Sequence, residues 1–259
     1  MCRWLAYSGP EIYLEELIIK PSRSLLVQSR FARENFVENM PGLYRDLRPA
    51  WSDRNLVNIA EQIKSGLFLA HLRAAYFGLV QRSNSHPFMH ERWTFQHNGE
   101  ISGFDRIKRI LQFTVSEELF PCIEGTTDSE TAFYLALTFG LDDDPRGAME
   151  RMVGFVEAEM DRAGIDEPFR LTCAFSDGGK IYAIRHSTDG KPKTLYYNRK
   201  SEDLDEVLSD ESATPSSGTI LLSEPIDDCP DNWESVPPGS FVTVADGRVA
   251  VEPFRPRAP

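Results

Sequence analysis

No apolar run in this chain approaches the roughly 20 residues that a membrane-spanning helix needs. The opening MCRWLAYSGP also lacks the apolar stretch of a secretory signal, so no membrane is expected as a partner. Positive charge is scarce. Against 40 Asp and Glu stand 28 Lys and Arg, a net charge of −12 over 259 residues; the clustered cations that neutralise a phosphate backbone are missing, and no nucleic acid is expected either. Cysteine is sparse too. Cys2, Cys122, Cys173 and Cys229 are scattered with no C-x-x-C pair, which suggests neither a zinc site nor a disulfide framework and fits a reducing, cytoplasmic setting. With no G-x-G-x-x-G behind a first strand and no P-loop, nucleotide binding is not indicated, and neither a cofactor nor a metal is expected. Internal repeats are absent, and the length suits one large domain or two small ones.

What is present is a helical middle between strand-rich ends. Residues 2–8 and 66–76 (GLFLAHLRAAY) read as strands, and WTFQH (93–97) as a shorter one running into a turn at Asn98-Gly99. Behind TDSE, the residues Ala132, Phe133, Leu135, Ala136, Leu137 and Phe139 are apolar nearly all round, which predicts a buried helix. Within 146–163, Met149, Met152, Val153, Val156 and Met160 make one apolar stripe that should face a sheet. After Gly164 the period changes to two: FRLTCAFSDGGKIYAIRH reads as a hairpin turning on Asp177-Gly178-Gly179, and TLYYN, GTILLS and GSFVTVADGRVAVEPF continue the strands. The acidic, serine-rich stretch 201–218 reads as a solvated excursion within the same pattern. Alternating strands around helices place the chain in the α+β class or a layered α/β sandwich.

Chemistry starts at Cys2. If Met1 is removed, one residue carries a thiol and a free α-amino group, with ordinary pKa values near ~8.5 and ~7.7, so that a nucleophile has its base built in. The plainer reading is a small apolar residue opening a buried strand. Further along, HLRAAYFG places His71 and Arg73 on one side of a strand, where the arginine suits either a surface ion pair or a two-pronged grip on a carboxylate. In HNGE (97–100), Asn98-Gly99 is a turn signal, and also an amide beside an unobstructed glycine N–H, two donors able to converge on one oxyanion. In TTDSE (126–130), Thr127 with Glu130 forms a capping box that leaves Asp128 in the first turn, where it can also receive an ammonium group. LLSEPI (221–226) needs to be no more than a strand leaving the sheet at Pro225.

Taken in order, MC, H-x-R, N-x-HP, HNG, TDSE and SEP resemble the pattern of class II glutamine amidotransferases, and PSRSLLVQSRFARE (21–34) is similar to a segment of their small, stand-alone members. The resemblance implies an N-terminal nucleophile hydrolase fold, a four-layer αββα sandwich of two antiparallel sheets between helical layers, as a single domain over 1–259. It implies a small-molecule substrate, glutamine or another γ-glutamyl amide. Cys2 then matches the nucleophile, its α-amino group the general base, Asn98 and Gly99 the oxyanion hole, Arg73 the grip on the α-carboxylate and Asp128 the acceptor of the α-ammonium; Tyr76 and His97 join the substrate-binding set. One departure concerns Tyr76-Phe77-Gly78, where many members carry Thr-His before the glycine, so that two polar side chains become a phenol and an apolar ring. No second domain is expected to bind an ammonia acceptor. Two enzymatic readings then survive, a free-standing γ-glutamyl amidohydrolase and a glutaminase subunit serving a partner synthase. The resemblance to small γ-glutamyl amidohydrolases favours the first, the presence of all the matched polar residues argues against a non-catalytic sensor of γ-glutamyl ligands, and a homo-oligomer stays open.

Overall fold

A computed structural model describes residues 2–25, 41–47, 50–72, 81–199 and 218–258. Its strands are β1 (Arg3–Tyr13), β2 (Lys64–Leu72), β3 (Phe88–His90), β4 (Trp93–Ile101), β5 (Phe169–Ser176), β6 (Ile181–Ser187), β7 (Tyr196–Asn198), β8 (Thr219–Leu222), β9 (Trp233–Ser235), β10 (Ser240–Ala245) and β11 (Arg248–Pro253). Its α-helices are α1 (Glu15–Ile18), α2 (Arg54–Ala60), α3 (Phe104–Thr114), α4 (Asp128–Thr138) and α5 (Pro145–Arg162). The strands form two sheets, one ordered β2-β1-β8-β7-β9 and the other β11-β10-β6-β5-β4-β3, with antiparallel pairing throughout.

Alternation along each strand divides the interior into three cores. In β1, Leu5 and Tyr7 pack with Leu17, Leu56 and Phe68 under α1 and α2, while Trp4 and Ala6 turn the other way and meet Ala174, Ala183, Val242 and Val244 of the opposite sheet. The alanines let the two sheets approach closely. In β5, Leu171, Cys173 and Phe175 face the stripe Met149, Met152, Val153 and Val156 of α5, so that stripe faces a sheet as its spacing predicts. Burying Phe133 flat against Phe95, with centroids 5.5 Å apart, is worth roughly 2–3 kcal/mol and fixes α4 over β4. Helix, sheet, sheet, helix is the expected αββα order.

Two local expectations are corrected. Asn98-Gly99 is no turn: β4 runs on through Ile101, in register with β5 from Thr94↔Ser176 to Ile101↔Phe169, and the chain leaves the sheet at Ser102-Gly103, where Gly103 has φ 66°. Eight successive cross-strand pairs outweigh a two-residue turn preference. The capping box of α4 is only half formed. Thr127 Oγ1 accepts the Glu130 N–H at 3.2 Å, but the Glu130 carboxylate, instead of reaching back, accepts the N–H groups of Glu124 and Gly125 at 3.0 and 2.7 Å. Residues 201–217, most of the acidic stretch, and 26–34 of the segment after the first strand lie outside the described residues.

Candidate active site

Cys2 directly precedes β1 and is half-buried. Its position is set from the far end of the chain. Ser223, at the end of β8 and fully enclosed, accepts the Trp4 N–H on Oγ at 3.0 Å, while its own N–H donates to the Trp4 carbonyl at 2.9 Å. Next to it, Glu224 pairs with Arg3 at 3.3 Å. The SEP stretch therefore clamps the two residues that follow Cys2, a role its sequence did not disclose.

From the opposite sheet, β4 presents alternate side chains towards β1. Gln96 Nε2 donates to the Leu5 carbonyl at 3.0 Å, and Asn98 Nδ2 donates to the Cys2 carbonyl at 3.2 Å. Asn98 and Cys2, 96 residues apart, are thus in direct contact.

Past Phe95, where pairing with β3 ends, the outer edge of β4 is open to other partners. The His97 carbonyl accepts from His71 Nε2 at 3.1 Å, and the Ile101 N–H donates to Asp128 Oδ2 at 2.8 Å. Residues 97, 99 and 101 of an antiparallel strand send their N–H and C=O groups to the same edge. The Gly99 N–H faces that edge too, between the group held by His71 and the group held by Asp128.

Gly99 is required sterically as well. A Cβ there would lie 2.0 Å from the Arg170 carbonyl oxygen and 2.5 Å from His97 Nε2. The first obstacle is backbone of the paired strand and cannot withdraw, so Gly99→Ala should cost about 2–3 kcal/mol and lower Tm by roughly 5–10 °C in a thermal melt.

Asp128 opens α4, in the turn that Thr127 caps. Its Oδ1 accepts the Ser129 N–H at 2.7 Å, and the loop before it is held by fully buried Asn84, which takes the Thr126 N–H at 2.8 Å and donates to Thr126 Oγ1 at 3.1 Å. The NSHPF stretch thereby supports the TTDSE stretch, while its His86 stacks on His71 with centroids 4.1 Å apart.

His97 sits differently from the other site candidates. Its side chain points to the helical side of β4, where Nδ1 lies 2.9 Å from Ser129 Oγ and Nε2 3.0 Å from the Arg170 carbonyl. Both ring nitrogens are engaged within the protein. Burial pushes this imidazole below its ordinary pKa, against the opposing pull of Asp128, the Arg170 carbonyl and Glu100. Arg73 and Tyr76 lie outside the described residues; β2 is described to Leu72, whose partner is Arg3. The structure thus links β4 to Cys2 through Asn98 and to Asp128 through Ile101, with Gly99 between those two positions.

Among the described residues no three His, Cys, Asp or Glu side chains form a cluster suited to a metal ion, and no helix is long and apolar enough to cross a membrane.

Two antiparallel sheets face to face between helices form the sandwich seen in class II glutamine amidotransferases of the N-terminal nucleophile type. The solved structure of a glutamine aminotransferase class-II domain protein from Silicibacter pomeroyi superposes with a TM-score of 0.79 at 34% identity, covering 99% of this chain and 100% of that one. The allosteric regulatory enzyme of purine biosynthesis shares the fold at a TM-score of 0.61 and 12% identity, with 99% of this chain matching 50% of that one. In sequence, a probable glutamine amidotransferase of Saccharomyces cerevisiae, DUG3, is 30% identical over 302 residues, 98% of this chain and 84% of that protein. A gamma-glutamyl-hercynylcysteine sulfoxide hydrolase of Mycolicibacterium smegmatis is 27% identical over 270 residues, 98% and 100% of the two chains. The family model described as glutamine amidotransferases class-II matches residues 45–257. The chain belongs to the class II glutamine amidotransferase family.

Proposed function

We propose that this protein is an amidohydrolase that cleaves the γ-amide of glutamine or a related γ-glutamyl compound through a thioester on Cys2, with residues 1–259 acting as a single domain. The observation that carries this reading is the contact of the Asn98 amide with the Cys2 carbonyl at 3.2 Å, on the same strand whose Ile101 N–H is held by Asp128 at 2.8 Å. A γ-glutamyl substrate has a carbonyl at one end and an ammonium and a carboxylate at the other. With Asp128 receiving the ammonium and Arg73 the carboxylate, the amide carbon is presented to sulfur.

The α-amino group of a processed Cys2 takes the thiol proton, directly or through water, and the thiolate adds to the amide carbon. Charge then collects on the former carbonyl oxygen, facing the Asn98 amide and the Gly99 N–H. As the C–N bond breaks, the leaving nitrogen takes the proton from the α-ammonium. Water, deprotonated by the same amine, attacks the thioester, releases the γ-carboxylate and returns a proton to sulfur.

Relatives carrying the names of a γ-glutamyl hydrolase and of an amidotransferase support substrates with a free γ-glutamyl end. The direct experiment is a panel of γ-glutamyl amides assayed for release of glutamate, with mass spectrometry of the protein after exposure to a glutamine-like electrophile. Turnover together with one adduct on Cys2 is expected. Adduct formation at another cysteine, with no turnover of any amide, rejects the reading. In the same assay Asp128→Asn should raise KM by about tenfold or more, the worth of a charge-assisted contact. Thermal melts show whether the fold survives the change, as capping by Thr127 predicts.

A further inference from the structure

Ser129 has one hydroxyl hydrogen and two acceptors within reach. His97 Nδ1 is 2.9 Å from Oγ and Asp128 Oδ1 is 3.2 Å away. Which of them receives the hydrogen determines what is left of Asp128 for a ligand.

The imidazole settles the competition through its other nitrogen. His97 Nε2 faces the Arg170 carbonyl, which only accepts, so Nε2 carries the hydrogen. Burial, with the ring 3% exposed, keeps the imidazole neutral. Nδ1 is then a lone pair, and the Ser129 hydroxyl donates to it. The hydroxyl is held off Asp128, which keeps its backbone donors, Ile101 N–H on Oδ2 and Ser129 N–H on Oδ1, and retains lone pairs for a cation. The ring is held at both nitrogens, and its Nε2 takes space that a Cβ at position 99 would need.

We infer that His97 is a positioning residue that acts by sequestering the Ser129 hydroxyl, so that Asp128 meets the ammonium group of a γ-glutamyl ligand without an internal competitor. The inference rests on the proposed role of Asp128. It deepens that role by naming what keeps the carboxylate available. The same imidazole, lying against Gly99, ties the ammonium subsite to the peptide that faces the oxyanion, so the two ends of the substrate are gauged from one ring.

The test is a suppression experiment on the full chain with the best γ-glutamyl amide found, reading KM and kcat separately beside thermal melts. His97→Phe keeps a ring and removes the acceptor. The freed hydroxyl should turn to Asp128, and KM should rise roughly five- to tenfold, the effect of one competing hydrogen bond to a charged group. Adding Ser129→Ala to His97→Phe removes the competitor, so KM should fall back towards the wild-type value, whereas a ring that mattered only for packing would give no such recovery. Ser129→Ala alone, a change that favours helix, should leave KM no higher than wild type. That variant carries the test by itself if His97→Phe does not fold. A raised KM in Ser129→Ala, or a double variant no better than His97→Phe, overturns the inference. If Asp128→Asn binds substrate as well as wild type, the role of Asp128 fails first, and the two failures are thereby distinguished.

Discussion

Replacing Cys2 by alanine should abolish release of glutamate from every γ-glutamyl amide, a loss of at least about 10⁴-fold in kcat, as for removal of other enzymatic nucleophiles. The substitution removes only a sulfur atom at a half-buried position, and the clamp on Trp4 by Ser223 uses backbone groups of Trp4 that alanine at position 2 leaves in place. Melting should therefore change little, and substrate should still bind. Cys2→Ser sharpens the test: the hydroxyl has the same reach but a much higher pKa, and an amine with a pKa near ~7.7 activates it poorly. Protein that uniformly retains Met1 should be as inactive as the alanine variant, because an acylated nitrogen has no lone pair to take the thiol proton. N-terminal sequencing beside the activity assay decides this. Full turnover with Met1 in place would remove the α-amino group from the mechanism and require another base.

Asn98→Asp is the second large effect. The Asn98 amide already donates to the Cys2 carbonyl at 3.2 Å, which places it beside the residue proposed as the nucleophile. On the proposed mechanism that amide would stabilise negative charge in the tetrahedral intermediate, and a carboxylate in its place would oppose it. Removing one such donor typically costs 10²- to 10³-fold in kcat, about 3–4 kcal/mol, and a like charge should cost at least as much. KM should move far less, since the interaction strengthens only as the carbonyl becomes tetrahedral. Asn98→Ala separates loss of the donor from introduction of a charge at this buried position. Both kcat values and both melting curves are needed. Near-normal kcat in a folded Asn98→Asp protein would leave Asn98 as a tether for Cys2 and nothing more.

Asn98 also shows where a local reading of the sequence stops. HNG carries a turn preference and an oxyanion chemistry together, and local rules favour the turn. Only pairing with β5, seventy residues downstream in the chain, keeps the strand straight through Ile101 and turns the Gly99 N–H out to an open edge. A hydrogen-bond ladder between distant segments is not written in either segment alone. Helix α3 lay within reach of the sequence, since Phe104, Ile107 and Leu111 repeat at helical spacing and are packed in or against the core, yet no breaker or cap stronger than Gly103 marks its start.

Other parts were decided locally. The apolar stripe of α5, the all-round apolar α4 behind Thr127, and the hairpin on Asp177-Gly178-Gly179 all follow from periodicity, capping and turn chemistry within a few residues. The order of six short motifs, each ambiguous alone, was enough to mark the family, and with it the layered sandwich. What the sequence by itself determined is which segments become strand or helix and which side chains carry reactive groups, because those depend on near neighbours and on the chemistry of single residues. What only the tertiary structure decided is which strand edge the Gly99 N–H faces, which carbonyl Asn98 reaches, and that the His97 ring turns towards Ser129, because each depends on a partner brought close by folding of segments far apart in the chain.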